Sequence, residues 1–231
     1  MMAWFDNSVL AVAGGIGNTR AAAAARWAIS ERRPDVVISA GFSGGCITGL
    51  GLGDVVIASD VRPHQSLDLR GDVSDAARFE CPPELIRTAL AIGPPHALLC
   101  HVGTVVSTGA VLTSSEKRHL GETTGAIAVD MEAYAVAEVA DSSAVPFIAL
   151  KAVIDPVGED LPDFVMRTGD GPDPRSGPAL RYLLGRPWEL GNVLHLARAS
   201  STASAALGTL VAAMADAPEL SKLASPGPAS P

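Results

Sequence analysis

Strand-length apolar runs that alternate with alanine-rich stretches constrain this chain more than any other feature. Ser8–Ala13, Asp35–Ala40, Asp54–Ser59, Ala126–Val129 and Pro146–Ile154 each read as a strand. Their near-continuous hydrophobicity fits strands covered on both faces, the usual state of a parallel sheet. Between them the spacing predicts helices. One runs from Thr19 to about Arg32, with Asn18 as N-cap and Pro34 as stop. Glu84–Ile92 reads as a short helix, and Ala97–Val106 as extended chain. Ser114 or Ser115 caps a helix reaching Leu120, and Met131–Ala140 follows Val129 directly. Strand and helix in alternation predict an α/β fold: one domain with a central, mostly parallel mixed sheet, flanked by helices on both faces.

The length of 231 residues suits one such domain, taken as 1–224. Residues 156–186 change character to Pro, Gly, Asp and Arg and read as a long loop or lid. Pro187–Met214 returns to helix composition, so 156–198 is expected to form a lid-like insertion with helices. Ser225–Pro231 reads as a disordered tail.

Hydrophobic residues at 48% and charged residues at 18% describe a globular chain. A net charge of -8 argues against nucleic acid as partner, since such binding draws on Lys and Arg to neutralise phosphates. No apolar run reaches the roughly 18–20 residues of a membrane helix, so no stable membrane insertion is expected. Asp6 comes early and Val9–Ala13 is short for a signal peptide. Cys46, Cys81 and Cys100 are odd in number and far apart, which suits reduced thiols in a cytoplasm. His64, His96, His101, His119 and His195 show no paired metal spacing, and no metal site is expected.

Ligands of open parallel sheets bind beyond the carboxyl ends of the strands. Gly14–Gly17 follows the first strand and Gly41–Gly45 the second; Asp130, Met131 and Glu132 follow Val129, and Asp155 follows Ile154. Two glycine turns and two acidic strand ends would converge on one rim. Each has a plainer reading. Gly14–Gly17 is either a dinucleotide turn, although Arg20 stands where a third glycine belongs, or a tight strand–helix turn. Asp130 and Glu132 are either site residues or acids favoured at a helix N-terminus. Asp155, before a proline, is a site residue or a turn former. A shared cavity would decide for function, because desolvation raises a carboxyl's proton affinity and fits it for acid catalysis near neutrality.

Five segments in order, Gly15–Ala23, Pro34–Gly45, Gly53–Asp60, Ala126–Ala133 and Val145–Asp155, resemble the family of 5′-methylthioadenosine/S-adenosylhomocysteine nucleosidases and purine nucleoside phosphorylases. The stretch V-D-M-E-A followed by V-P-F…D is the strongest part. Arg181–Trp188 with Leu194–Arg198 looks like the hopanoid-associated branch, whose members are thought to remove adenine from adenosylhopane. The resemblance implies cleavage of the bond between base and ribose in a small-molecule nucleoside. It implies no cofactor, with phosphate as co-substrate if the reaction is phosphorolysis, and a homo-oligomer, either dimer or hexamer.

Position by position, Asp155 matches the acid that protonates or hydrogen-bonds N7 of the purine. Glu132 matches the carboxylate holding the ribose hydroxyls, and Met131 packs under the ribose. Ile16 matches a residue beside the 5′-substituent. Phe42, Ser43 and Gly44 match the loop near ribose and nucleophile. Leu112 matches a residue whose backbone recognises the adenine edge, and Val111 stands where the family stacks an aromatic on the base. The nucleosidases' water-activating glutamate, which follows an extra first strand, has no counterpart here, Asp6 being poorly placed for it. Ser39 and Phe42 stand where hexameric phosphorylases hold phosphate, which leaves Arg20 as the nearest basic candidate.

Leu183, Leu184, Trp188, Leu190 and Leu194 either shelter a greasy 5′-substituent or form the core face of C-terminal helices. Two further readings stand beside catalysis: a non-catalytic nucleoside-binding relative, and a NAD-binding protein using Gly14–Gly17.

Overall fold

The computed structural model describes residues 1–6, 9–64, 78–161, 190–217 and 220. Most of the lid-like stretch, with Leu183, Leu184 and Trp188, lies outside the described residues, as does the tail at 225–231.

Eight strands and five α-helices are described. The strands are β1 (Met2–Asp6), β2 (Val9–Ala13), β3 (Val37–Gly45), β4 (Val55–Pro63), β5 (Phe79–Glu80), β6 (Cys100–Ser107), β7 (Ala128–Asp130) and β8 (Phe147–Asp155). The helices are α1 (Asn18–Arg32), α2 (Pro83–Ile92), α3 (Ser114–Thr124), α4 (Ala133–Ser142) and α5 (Leu190–Ala215). Leu190 and Leu194 fall at the start of α5.

The long ladders are parallel, β3 with β8 and β4 with β6, and β6 also pairs parallel with β7. The antiparallel pairings are short: β3 with β7, β4 with β5, and β4 with β8. This is the mostly parallel mixed sheet the apolar runs predict. Because β8 pairs back to β4, the strands β4, β6, β7, β3 and β8 close on themselves. That closure explains why β8 is buried along nearly its whole length. Its two neighbours take its backbone hydrogen bonds, while α4 and α5 pack against it. Val55, Val56, Ile57, Ile148, Leu150, Val153, Leu210 and Met214 have no exposed surface and form the centre of the core. Each large aliphatic side chain so buried contributes about 1.5–3 kcal/mol.

Several boundaries differ from expectation. Met2–Asp6 forms a strand antiparallel to β2, which its short mixed sequence did not announce. Gly41–Gly45, expected as a turn, is the second half of β3, with a register shift between Ser43 and Gly44. Gly17, at φ 99°, is the N-cap of α1, and Asn18 is its first residue. Thr113, and neither Ser114 nor Ser115, caps α3, in a reciprocal capping box with Glu116. On α1, Ala21, Ala22, Ala24 and Ala25 are buried, and small side chains let the helix lie close to β2. A Cβ on Gly14 would sit 2.9 Å from that of Ala24.

Candidate active site

Asp155 ends β8 with its carboxyl buried against the start of α3. Lys117 Nζ donates to Asp155 Oδ2 at 2.7 Å, and both side chains are almost fully removed from solvent. Burial is the dominant influence on Asp155 and pushes its carboxyl up to about 6. The Lys117 charge and hydrogen bond pull the other way, and the charges of Glu159 and Asp160 add to the rise. An aspartic acid so placed holds a proton close to neutrality, as an acid catalyst requires.

Asp130 and Glu132 flank Met131 at the β7–α4 junction and play different parts. Asp130 is a structural hub. Its carboxylate accepts from the Ser107 hydroxyl and from the Ala133 N–H that opens α4, and it pairs with Lys151 Nζ at 2.7 Å. Lys151 also donates to Ser39 Oγ at 3.1 Å. Glu132 makes no side-chain cap for α4; its Oε1 accepts from Gly17 N–H at 2.8 Å, across 115 residues of chain. Burial pushes the Glu132 carboxyl above its ordinary value, and the nearby Asp130 charge adds to this; the Gly17 hydrogen bond and Lys151 oppose it. The glycine turn after β2 is thus tied to the carboxylate after β7.

Asp155 and Glu132 line one cavity of about 1480 Å³. Met131, Ile16, Phe42, Ser43, Gly44, Val111 and Leu112 line it too. Ser43 is 4% exposed, and its Oγ has no hydrogen-bond partner, an arrangement that costs about 1–3 kcal/mol unless a ligand atom satisfies it. Arg20 is exposed, with its stem beside Gly15, and is not among the lining residues. Lys117 and Lys151 also line the cavity and were not singled out from the sequence. Lys151 had a visible signal, as the one charge inside the apolar run of β8. Lys117 had none, because Ser-Glu-Lys-Arg-His reads as the solvated face of a helix. Among the described residues no group of three or more His, Cys, Asp or Glu could hold a metal ion, and no helix is long and apolar enough to cross a membrane.

A closed mixed sheet that brings a buried carboxyl at one strand end and a half-buried one just past another to a single cavity is the architecture of an α/β enzyme. Residues 3–170 match the model of the phosphorylase superfamily. A 5′-methylthioadenosine/S-adenosylhomocysteine nucleosidase of Staphylococcus aureus (strain JH9) is 30% identical over 158 residues, covering 65% of this chain and 69% of that protein. Among solved structures, the 5′-methylthioadenosine/S-adenosylhomocysteine nucleosidase of Neisseria meningitidis, in complex with methylthio-immucillin-A, superposes with a TM-score of 0.66 at 24% identity, covering 89% of this chain and 80% of that one. Futalosine hydrolase of Helicobacter pylori gives 0.65 at 17% identity, covering 88% and 77%. This chain belongs to the phosphorylase superfamily.

Proposed function

We propose that this chain cleaves the N-glycosidic bond of a 5′-substituted adenosine, with water as the nucleophile. The observation that carries the reading is the meeting of Asp155 and Glu132 in one cavity, each with raised proton affinity. Breaking the C1′–N9 bond leaves the electron pair on the purine and positive charge on the ribose. Asp155 gives its proton to N7, which makes the base a neutral leaving group and contributes roughly 10²–10⁴ in rate. Glu132 holds the ribose hydroxyls and lies near the positive charge developing at C1′. Water adds its oxygen to C1′ and releases a proton to solvent, from which Asp155 is reprotonated, so the products are adenine and the free sugar.

The remaining lining residues follow the family resemblance. Met131 packs under the ribose, Ile16 lies beside the 5′-group, and Phe42, Ser43 and Gly44 border the sugar. Leu112 presents its backbone to the adenine edge beside Val111. Water is favoured over phosphate because the hydrogen bonds of both buried lysines of the cavity go to protein acceptors, Lys117 to Asp155 and to the carbonyls of Asp155, Pro156 and Glu159, and Lys151 to Asp130 and Ser39. The similarity to nucleosidases points the same way.

The size of the cavity favours a second, finer reading, adenosylhopane as substrate. At about 1480 Å³ it exceeds the roughly 300–1,000 Å³ of a common small-ligand pocket, and alanines and valines of β2, α1 and β3 make much of its wall. We place the enzyme in the cytoplasm on its three free cysteines, and as a homo-oligomer on the family resemblance.

Chromatography of the bases released from methylthioadenosine, adenosine and adenosylhopane, with and without phosphate, tests the reading. Adenine and free sugar without phosphate are expected. Strict dependence on phosphate would establish phosphorolysis instead, and tight adenine binding with no release from any substrate would establish a binding protein.

A further inference from the structure

Lys117 stands near the start of α3, is 1% exposed, and has no part in the chemistry above. Its ammonium reaches four acceptors: Asp155 Oδ2 at 2.7 Å, and the carbonyls of Asp155 at 3.0 Å, Pro156 at 3.0 Å and Glu159 at 2.8 Å. Taking a charge out of water at this depth is costly, and only such saturation by acceptors offsets it. The pair also needs two glycines. On Gly44 a Cβ would lie 2.9 Å from Lys117 Cδ and 3.1 and 3.3 Å from the two carboxylate oxygens of Asp155. On Gly121, one helical turn beyond Lys117 and on the same face, a Cβ would collide with the carbonyl oxygen of Cys46. Both contacts arise because α3 is pressed against the end of β3. The backbone N–H of Ser114 also donates to the Asp160 carboxylate, so the same helix end holds the loop after β8 at a second point.

We propose that Lys117 is the positioning residue for Asp155, engaging Oδ2 and the carbonyls of the following loop so that Oδ1 is the oxygen presented to the substrate base. The inference rests on the reading of Asp155 as the acid. The ammonium fixes the rotation of the carboxyl group, and its charge sets how far up the pH scale that group stays protonated. The charged groups facing Asp155 are Lys117 from α3 and Glu159 and Asp160 from its own loop. The Cys46 thiol after β3, pushed up to about 12 by burial, is neutral. Among the described residues Lys117 is therefore the one favourable charge, and removing it raises the proton affinity of Asp155 further.

The test is Lys117→Met in the full chain, with kcat and KM followed against pH on methylthioadenosine and folding checked by circular dichroism. Turnover is expected to fall about 10²-fold, because a freely rotating acid loses the general-acid contribution. The alkaline limb of the profile moves up by about one pH unit, since an opposite charge at this range lowers a carboxyl by about 1–3. KM stays within about 3-fold, as expected when only a transition-state interaction is lost. A purely structural lysine would cost activity through folding or KM and leave the limb in place, and an unmoved limb overturns the proposal. Gly44→Ala, which pushes the lysine stem off the carboxylate while keeping its charge, serves if Lys117→Met does not fold; the same upward limb movement supports the proposal and its absence overturns it. Asp155→Asn separates the two claims. Full activity in that variant sinks the acid itself, whereas a dead Asp155→Asn beside an unmoved limb in Lys117→Met sinks the positioning role alone.

Discussion

Asp155 is where burial and charge contend most closely. Desolvation outweighs the lysine at 2.7 Å and leaves the carboxyl at about 6, against 3.8 for a solvated aspartate. The sign for catalysis follows. If Asp155 is the acid, it holds its proton below about pH 6, and above that kcat/KM should fall tenfold per pH unit. Asp155→Asn keeps the shape but has no proton to give, so turnover should drop about 10²–10⁴-fold at pH 6. Stopped-time assays of adenine release measure both effects, and an Asn variant of wild-type rate would exclude Asp155. Glu132→Gln keeps an acceptor for Gly17 N–H and removes the charge from the sugar side. A hydrogen bond to a charged group is worth about 1.5–3 kcal/mol, so kcat/KM should fall about 10–150-fold with an unchanged melting temperature. Both acids could be picked out in the sequence because Asp155 ends one apolar strand and Glu132 stands two residues past the end of another. Lys151 could have been read the same way. Lys117 could not, since its burial depends on a glycine 73 positions upstream and on a loop that follows a different strand.

α3 shows what an element contributes beyond its own sequence. By pattern it is a short polar helix, and its capping box through Thr113 and Glu116 is readable as S/T-x-x-E. Its position is not. Gly121 lies against the Cys46 carbonyl, so the helix packs backbone to backbone with the end of β3. Gly121→Ala tests which effect governs. Alanine gains up to about 1 kcal/mol in helix propensity. The Cβ must displace a carbonyl that cannot rotate away, at about 1–3 kcal/mol for overpacking. We expect net destabilisation, a melting temperature lower by about 2–8 °C, and a loss of turnover larger than the loss of folded protein, because Lys117 moves with the helix. A raised melting temperature would mean that α3 has room. The β3 boundary was misread for a related reason. Gly41–Gly45 has turn composition, yet β8 pairs with it in parallel as far as Gly44, across a register shift, and β7 takes Gly44 and Gly45, so tertiary pairing overrides local preference.

At the scale of the whole molecule, the alternation of strand and helix was enough to state the class of fold, while the closure of β8 onto β4 was not, because register is a property of pairs. The cavity is likewise a product of the assembled chain. It runs from Asp155 and Glu132 past Ile16 and Phe42 to the alanine face of α1, where Ala21, Ala24, Ala25 and Ala28 line it. If the 5′-group occupies this apolar wing, each added methylene leaves water for a hydrocarbon wall, a gain of about 0.8 kcal/mol, or about 4-fold in affinity. In a series of 5′-alkylthioadenosines from methyl to hexyl, kcat/KM should rise about 2–4-fold per carbon, mostly through KM, because the chain interacts alike in ground and transition states. Ala28→Phe, which fills the far part of the wing, should flatten the rise for the longer chains and leave the methyl substrate within about 2-fold. A flat series in the unaltered protein would show that the 5′-group leaves the site in another direction, and would remove the support that the cavity's size lends to a bulky lipid substituent.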